Sequence, residues 1–315
     1  MSQFDPKKIL VIKHGSLGDI VFALEPILSI QKKFNNTVID LVTEEKFIPF
    51  FKKMNMFHQF LIDNRKGFFA TTGLINKIIF GKYDLVIDLQ NSKRTNLYHF
   101  FINIFSKAKI NGSRSNAHER YIIPSQGKES PTQGLLNQLQ LLGIEKIKAD
   151  FNWLENNHDN PDFENKNMVM VIPGVSQSGK YKQWAPNKFQ ELCSFLEAKG
   201  FYLCLVGTKH DADAIAPILN YCTNIINLID KSPPDIIYSA ACKSKLIISN
   251  DTGPGHIAAL SGVNTLWLAL DNPITKANLS FRQNSHLVLK NSMEDLTVDE
   301  VTDYISNNKL LDKVD

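Results

Sequence analysis

The stretch "KILVIKHGSLGDIVFAL", residues 8–24, decides the fold class of this chain. Its first half is a continuous run of apolar and β-branched residues, which is typical of a strand buried on both faces of a parallel sheet. Its second half predicts a helix, and Gly15 and Gly18 between the two permit a tight turn that brings backbone close to a ligand. Asp19 lies where the helix opens. Two roles are open for it: an acid that caps the helix and stabilises its dipole, or a group that takes part in chemistry.

Eight further apolar runs alternate with helical stretches along the chain. Three of them precede residue 150 and five follow it: "TVIDLVT", "QFLID" and "YDLVIDL", then "NMVMVIP", "FYLCLVG", "NIINLI", "KLIISN" and "NTLWLAL". This alternation predicts an α/β architecture with parallel sheets covered by helices. The runs are too many and too evenly split for one sheet. We therefore place an inter-domain linker at 143–167, which is polar and rich in asparagine.

These observations predict two Rossmann-like domains, residues 1–150 and 151–315, that face each other across a cleft. In sheets of this kind, ligands bind at the carboxyl ends of the strands, in the loops that lead into helices. Thr297 and Glu300 have the spacing of a capping box and predict a closing helix. We expect this last helix to pack back on the N-terminal domain.

The composition excludes several classes of protein. The chain of 315 residues is 43% hydrophobic, which suits a globular protein with buried cores. No apolar run approaches the ~18 residues of a membrane-spanning helix, and the N-terminus lacks the apolar core of a signal peptide, so we expect a cytoplasmic protein. The four cysteines form no C-x-x-C pair, which argues against a zinc site or a disulfide framework. We expect these cysteines to be ordinary reduced thiols.

The two halves of the chain differ in charge. Residues 1–150 contain 21 Lys and Arg against 13 Asp and Glu, a net of +8, whereas residues 151–315 contain 14 against 19, a net of −5. A positive field favours an anionic partner, although a solvated lysine-rich surface would give the same count. The basic half also contains "YHFFINIF", residues 98–105. Core packing is the favoured interpretation of these aromatic residues, and peripheral contact with a membrane is the alternative.

A second glycine-bearing loop, "SNDTGPGHIAALSG" at residues 249–262, follows the predicted strand "KLIIS". Its side chains offer acceptors and a donor, and its glycines expose amides where a helix begins, a combination that suits ribose hydroxyls and a diphosphate. The residues with these properties are Asp251, Thr252, Gly253, Gly255 and His256. Each also has an ordinary structural interpretation: Asp251 and Thr252 as a helix N-cap, and His256 as a satisfied surface or core histidine.

Three stretches together resemble a known family. "ILVIKHGSLGDIVFALEPILSIQKKF" resembles the N-terminal signature of the bacterial heptosyltransferases, glycosyltransferase family 9, and "NDTGPGHIAALSGVNTLWL" is similar to their nucleotide-sugar signature. "IPGVSQSGKYKQW", between the two, is similar to the family's strand, phosphate loop and K-x-W segment, here Lys182 and Trp184. The resemblance covers nearly the whole chain. It implies a GT-B fold, an ADP-heptose donor, inversion at the anomeric carbon, no metal, and an acceptor in the inner core of lipopolysaccharide.

The resemblance also implies roles for individual residues. Asp19 matches the family's proposed base, and Lys182 matches a lysine that contacts phosphate, so these two are the candidate catalytic residues; a solvated lysine is the alternative for Lys182. The candidate donor-binding residues are Ser176, Gln177, Lys182, Asp251, Thr252, Gly253, Gly255 and His256. The candidate acceptor-binding residues, in the basic N-terminal domain, are Ser16, Gly18, Gln90, Lys93, Arg94 and Arg120.

The sequence contains one pattern that points to a metal. Asp211 and Asp213 form a D-x-D, the form used by many metal-dependent glycosyltransferases. They follow a predicted strand, where acidic residues are expected at the start of a helix, and we interpret them in that way. Glu25 and Pro26 depart from the family pattern and indicate a first helix of altered shape.

The sequence thus predicts an inverting, metal-independent transferase that passes heptose from ADP-heptose to the anionic inner core of a lipopolysaccharide precursor. Its expected partners are this donor and acceptor, with peripheral contact to the inner membrane and no nucleic acid, and we expect a monomer. Three alternatives remain: a transferase for another nucleotide sugar, a non-catalytic nucleotide-sugar-binding protein of envelope assembly, and a sugar-nucleotide epimerase.

Overall fold

The computed structural model describes residues 5–155, 163 and 167–312. The chain divides into two compact units, one formed by Met1–Ser125 and Pro131–Trp153 and the other by Gln126–Ser130 and Leu154–Asp315. The main division falls inside the stretch that the sequence marks as a linker, although residues 156–162 and 164–166 of that stretch lie outside the described residues. The inclusion of the short segment 126–130 in the second unit has no counterpart in the sequence prediction.

The first unit is built on six parallel strands in the order β3-β2-β1-β4-β5-β6. The strands are β1 (Lys8–Ile12), β2 (Val38–Thr43), β3 (Phe60–Ile62), β4 (Leu85–Asp88), β5 (Lys109–Gly112) and β6 (Glu119–Arg120). The helices are α1 (Leu17–Lys33), α2 (Ile48–Lys52), α3 (Phe68–Phe80), α4 (Lys93–Phe105) and α5 (Pro131–Gln140). Helices α3 and α4 cover the same face of the sheet, since their buried side chains share a core with alternate residues of β1, among them Leu10 and Ile12.

The second unit has six parallel strands in the order β12-β11-β10-β7-β8-β9. They are β7 (Met168–Ile172), β8 (Tyr202–Leu205), β9 (Ile225–Asn227), β10 (Leu246–Asn250), β11 (Thr265–Leu270) and β12 (Ser285–Lys290). Its helices are α6 (Pro186–Ala198), α7 (Ala212–Tyr221), α8 (Pro234–Cys242), α9 (Gly253–Ala258), α10 (Pro273–Leu279) and α11 (Val298–Asn307). Counted along the chain, both sheets have the Rossmann strand order, which confirms the predicted fold class.

The nine strands predicted from apolar runs are all present, and three strands were missed. Strand β6 has two residues and β5 has four, the last of them glycine, so neither forms a recognisable apolar run. Strand β12 lies at the sheet edge with every residue partly exposed, which gives it no continuous apolar character. The missed strands therefore all lie toward the ends of their sheets.

The closing helix α11 has the predicted capping box, with Thr297 as N-cap and Glu300 as its partner. Val301 and Ile305 belong to the core that α6 and α7 form against the second sheet. The apolar face of α11 is thus used within the second unit, and the expectation that this helix packs back on the N-terminal domain stays a prediction.

Pro26 lies within α1 without ending the helix. Because proline has no N–H, it cannot donate to the carbonyl of Phe22 four residues earlier. The hydroxyl of Thr132, on α5, donates to this carbonyl at 2.9 Å. A side chain from a neighbouring helix thus supplies the hydrogen bond that Pro26 cannot make, and α1 keeps its full length.

In each sheet, two neighbouring strands lead to helices in opposite directions, and an amide side chain joins the loops that diverge there. In the first unit the loop after β4 provides Gln90, whose Oε1 accepts the N–H of His14, after β1, at 3.0 Å. In the second unit Asn250 ends β10; its Oδ1 accepts the N–H of Trp184 at 3.1 Å, and its Nδ2 donates to the carbonyl of Pro173, after β7, at 2.9 Å. These two points are the topological switch points at which α/β sheets bind ligands.

Replacing Asn250 by alanine should destabilise the second unit. The side chain is fully buried, so the change removes hydrogen bonds from the Trp184 N–H and the Pro173 carbonyl in the core. The Pro173 carbonyl keeps the hydrogen bond from Gln183 Nε2 at 3.1 Å, so the Trp184 N–H is the group that loses its partner. At about 1–3 kcal/mol for a buried polar group left unsatisfied, we expect a loss of that size, measured by urea unfolding followed by tryptophan fluorescence. Asn220→Ala, at an exposed position of α7, is the matched control and should change stability by about 0.5 kcal/mol or less. Equal unfolding midpoints for the two variants would show that the amide bridge is dispensable.

Candidate functional site

The switch point of the second unit places a lysine beside an aspartate. A 3-10 turn, Gln177–Lys182, follows β7, and Asp251 follows β10 directly. The turn is anchored two residues later, because Trp184 is fully buried and its Nε1 donates to the carbonyl of Leu296 at 2.9 Å. Together with the bond from Asn250, this anchor fixes where the side chain of Lys182 can reach.

Asp251 accepts contacts on both carboxylate oxygens. The Nζ of Lys182 lies 2.9 Å from Oδ2, and the Nε2 of His256 lies 3.1 Å from Oδ1. Burial alone would raise the pKa of Asp251, but hydrogen bonding and charge from His256 and Lys182 outweigh it and hold the pKa at about 2. The carboxylate is therefore ionised at neutral pH, and it holds the lysine ammonium in a defined place.

A cavity of about 590 Å³ opens beside this pair. Its lining residues are Gln126, Tyr181, Lys182, Asp251, Leu270, Asn272, Pro273, Ile274, Thr275 and Asn278. They combine apolar side chains with amides, two hydroxyls and one ion pair, which is the usual make-up of a small-molecule site. The size and lining are suited to a nucleoside, with a cation at the wall for a phosphate.

Of the eight predicted donor-binding residues, Lys182 and Asp251 line this cavity, and the other six lie in the same two loops or at the start of α9. Ser176 is the N-cap of the 3-10 turn and Gln177 its first residue, and Thr252 is the N-cap of α9, with Gly253 its first residue. The other two residues have a packing role behind the loop. A Cβ on Gly255 would lie 2.4 Å from Ser249 Oγ, and the ring of His256 packs on Trp267 with 5.0 Å between centroids.

Several lining residues come from a segment that the sequence prediction missed. The loop after β11 provides Asn272, which is the N-cap of α10, and Pro273 at the first helical position. The segment 126–130 reaches the same place, where a Cβ on Gly127 would lie 2.5 Å from Pro273 Cβ. The Asn-Pro helix start directly after a predicted strand was a usable signal, because β11 is adjacent to β10. The contribution of residue 126 had no local signal.

Asp19 has a structural role in the first unit. Ser16 is the N-cap of α1 and Asp19 is the third helical residue, and the two form a capping box. Asp19 Oδ2 accepts the N–H and the hydroxyl of Ser16, each at 3.0 Å, so Asp19 does not occupy the N-cap position itself. Its Oδ1 has no hydrogen-bond partner within the described part of the chain, and the side chain is exposed. The capping role uses one oxygen and leaves the other available to a substrate.

The backbone around Asp19 is fixed by its neighbours. Gly15 has a φ of 116°, and a Cβ there would lie 2.9 Å from Asp19 Oδ2, so the turn needs glycine. Gly18 is buried at the second position of α1. Lys13 is buried and donates to the carbonyl of Leu89 at 3.1 Å. Burial lowers the pKa of Lys13, and the charges of Asp19 and Asp88 partly oppose that shift.

The two charged candidates at the start of α4 differ in whether a neighbouring carboxylate pairs with them. Arg94 donates to both oxygens of Asp63, at 3.0 and 2.8 Å, and Tyr98 donates its hydroxyl to the same carboxylate. Burial would raise the pKa of Asp63, but hydrogen bonds from Arg94 and Tyr98 outweigh it and lower the pKa. Arg94 is therefore less available as a cation than the sequence indicated. Lys93 is exposed at the start of α4 and has no ion-pair partner among the described residues.

The remaining acceptor candidates have backbone partners. Gln90 bridges to the His14 N–H, and the Nε of Arg120 donates to the carbonyl of Ser113 at 3.3 Å. The sequence prediction missed His14, whose Nε2 lies 3.2 Å from Asp63 Oδ2 but outside hydrogen-bonding geometry. His14 and Asp63 are 49 residues apart, so no sequence spacing could have paired them.

The D-x-D pattern lies at a helix start, as interpreted from the sequence. Asp211 accepts the N–H and the hydroxyl of Thr208, each at 2.9 Å, in a capping box that precedes α7. In the ranges that the structure describes, no group of three or more His, Cys, Asp or Glu side chains is arranged to hold a metal ion.

Comparison with known proteins identifies the family of this chain. Residues 72–268 match glycosyltransferase family 9 (heptosyltransferase). The chain is 26% identical over 300 residues to lipooligosaccharide heptosyltransferase 2 of Haemophilus ducreyi, covering 84% of this chain and 83% of that protein. Among solved structures, a family 9 glycosyltransferase from Veillonella parvula superposes with a TM-score of 0.78 at 16% identity, covering 98% of each chain. The E. coli heptosyltransferase WaaC with ADP gives 0.72 at 16% identity, covering 96% of this chain and 98% of that one.

The two structural comparisons establish a GT-B fold, and the family match extends over more than half of the chain. The protein belongs to glycosyltransferase family 9, the heptosyltransferases, and is a glycosyltransferase.

Proposed function

We propose that this protein transfers heptose from ADP-heptose to the inner core of a lipopolysaccharide precursor, with inversion at the anomeric carbon and without a metal. The observation that carries the proposal is the ion pair of Lys182 and Asp251 on the wall of a nucleoside-sized cavity at a sheet switch point. The family membership supports the reaction type. The solved structure of the E. coli heptosyltransferase WaaC with ADP supports the choice of nucleotide.

The second unit binds the donor in this proposal. The adenosine occupies the cavity, and the diphosphate lies against Lys182. As the bond from the anomeric carbon to the diphosphate breaks, negative charge grows on the leaving oxygen, and the lysine ammonium stabilises it more in the transition state than in the ground state. Asp251 keeps the ammonium oriented before the donor arrives, which lowers the entropic cost of placing it.

The first unit binds the acceptor and provides the base. An acceptor hydroxyl attacks the anomeric carbon opposite the departing diphosphate, and Asp19 takes the proton from that hydroxyl. Its Oδ2 is held by Ser16 in the capping box, so the carboxylate has a fixed orientation while Oδ1 accepts the proton. Lys93 contributes positive charge toward the anionic acceptor.

ADP should stabilise the protein against heat, and the effect should survive a metal chelator. A ligand that binds only the folded state adds about 2.7 kcal/mol when its concentration is one hundred times its dissociation constant. A thermal-shift series with ADP, UDP, GDP and CMP sugars, each with and without EDTA, measures this directly. Stabilisation by a different nucleotide would replace ADP-heptose with another donor, and loss of the effect on adding EDTA would reject the metal-free proposal.

Lys182→Ala tests the diphosphate assignment further. The variant should bind ADP more weakly and transfer more slowly, because the charge that Lys182 stabilises develops during bond breaking. Lys180→Ala is a matched control from the same 3-10 turn, since Lys180 donates to Gln183 and does not line the cavity. The control should bind ADP and turn over as the wild type does. Equal kinetics for the Lys182 variant and the control would remove Lys182 from the site.

Asp19→Asn separates the catalytic role from the capping role. Asparagine keeps an oxygen that can accept from Ser16 but cannot take a proton, so transfer should fall by roughly 10²- to 10⁴-fold with little change in ADP affinity or melting temperature. Asp19→Ala should also lose about 0.3–1.5 kcal/mol of stability through the lost cap. Asp211→Asn, in a capping box of the same geometry, is the control and should remain active. A fully active Asp19→Asn enzyme would contradict the assignment of Asp19 as base.

A further inference from the structure

Helix α4 exposes apolar side chains where a surface helix usually exposes polar ones. Leu97, Phe100 and Ile104 are spaced by three and four residues, which places them on one stripe of the helix. They are 46%, 48% and 54% exposed, and Phe105 beside them is 63% exposed. The opposite stripe is already used for packing on the sheet, where Tyr98 and Ile102 are buried. The sequence interpretation of this segment as core is therefore right for only one of its two faces.

Helix α3 lies next to α4 and also exposes apolar side chains. Its first two residues, Phe68 and Phe69, are 75% and 87% exposed, and its last, Phe80, is 78% exposed. The hydroxyl of Thr71 accepts a hydrogen bond from Arg94 at 2.9 Å, which shows that the beginnings of the two helices are adjacent. We call the set of exposed side chains on both helices the α3–α4 surface. Its members are Phe68, Phe69, Phe80, Leu97, Phe100, Ile104 and Phe105.

The charge around the α3–α4 surface has a single sign. Residues 64–83 and 89–118, which contain both helices, include no Asp or Glu. The exposed lysines in these segments are Lys66, Lys77, Lys82, Lys93, Lys107 and Lys109. Lys77 and Lys107, like Lys66, Lys82 and Lys93, have no ion-pair partner within the part of the chain that is described. Clustered apolar side chains on a monomer surface mark an interaction site, and the lysines require a partner that is negatively charged.

We propose that the α3–α4 surface docks on an anionic phospholipid bilayer. The phenylalanine, leucine and isoleucine side chains enter the boundary between headgroups and acyl chains, while the lysines at the margin attract acidic headgroups. The helices lie on the bilayer and do not cross it. Consistent with this, the described residues contain no helix that is long and apolar enough to span a membrane.

A second copy of the chain is a poorer partner for this surface than a bilayer. In a two-fold interface the same patch would face itself, so lysines from both copies would be brought together with no carboxylate on either helix to pair with them. Like charges brought together in this way oppose association. A bilayer with acidic headgroups satisfies both the apolar and the positive parts of the surface.

The proposal goes beyond the transfer reaction and can be tested without it, because vesicle binding needs no nucleotide sugar. Flotation of the full-length protein should show binding to vesicles of phosphatidylethanolamine with phosphatidylglycerol and little binding to vesicles of phosphatidylcholine alone. The double variant Phe100→Ser with Ile104→Ser should bind roughly tenfold more weakly. Leu219→Ser with Tyr221→Ser, on exposed positions of α7, is the matched control and should bind like the wild type.

Charge reversal gives a second test with substitutions that should leave folding unchanged, since both side chains are exposed. Lys77→Glu with Lys107→Glu should weaken binding to the acidic vesicles by more than about twentyfold, because each lysine near an anionic surface contributes about fivefold. Lys231→Glu with Lys243→Glu, in the second unit, is the control. Both surface variants should retain wild-type turnover on a water-soluble acceptor, which separates a failure of docking from a failure of the proposed chemistry.

Three results would overturn the proposal. Equal binding to acidic and phosphatidylcholine vesicles would remove the role of the lysines. Wild-type affinity in both surface variants would place any membrane contact elsewhere on the molecule. A wild-type dimer by light scattering that becomes a monomer in the Phe100 and Ile104 double variant would show that a second copy covers the surface.

Discussion

The side-chain amide of Asn250 forms hydrogen bonds through both its oxygen and its nitrogen to residues that are distant in sequence. The candidate donor site depends on these two bonds. Its oxygen accepts the N–H of Trp184 and its nitrogen donates to the carbonyl of Pro173, so the loop after β7 is tied at both ends to the last residue of β10. Lys182 lies within the tied loop, and Asp251 is the next residue after the tie. A buried amide thus sets the distance between the two charged groups before any side-chain attraction acts.

The ion pair that results is suited to a site that must receive a charged ligand. Asp251 has a pKa of about 2 because His256 and Lys182 stabilise its charged form against the effect of burial. The lysine is thus held in place by a neighbour rather than by the ligand. A diphosphate that arrives at Lys182 brings a second anionic partner to the same ammonium, which has three donor hydrogens and can contact both. In the first unit, Asp19 is held in a comparable way, since Ser16 fixes one carboxylate oxygen and leaves the other available.

The fold could be predicted because its cause is local. Nine of the twelve parallel strands are short apolar runs, and the two glycine-bearing loops follow such runs directly, so these nine strands and both switch-point loops were identified from the sequence. For Asp19, the sequence indicated two roles, capping the helix and taking part in chemistry, but not its exact position in the helix. Whether it is the N-cap or the third helical residue depends on where α1 begins, and a shift of a few residues in that boundary changes the answer.

The rest could not be predicted because it depends on pairs of residues far apart in the chain. Arg94 is basic in the sequence and is expected to be free, but Asp63 at the end of β3 neutralises it. Likewise, the cavity wall formed by residue 126 and the loop after β11 exists only once the chain has folded. The exposed stripe of α4 was also ambiguous, since the spacing of an apolar face does not say whether that face is covered by protein.

The central claim is that the loop after β7, which Asn250 ties to the end of β10, holds the diphosphate of the donor. A crystal structure of the protein with bound ADP measures this most directly, through the distance from the Nζ of Lys182 to the nearest phosphate oxygen. We expect the adenosine in the cavity that Asn272 and Thr275 line, and a phosphate oxygen within about 3 Å of the Lys182 Nζ, the length of a charge-assisted hydrogen bond. ADP bound outside this cavity, or bound within it with its diphosphate out of reach of Lys182, would contradict the claim.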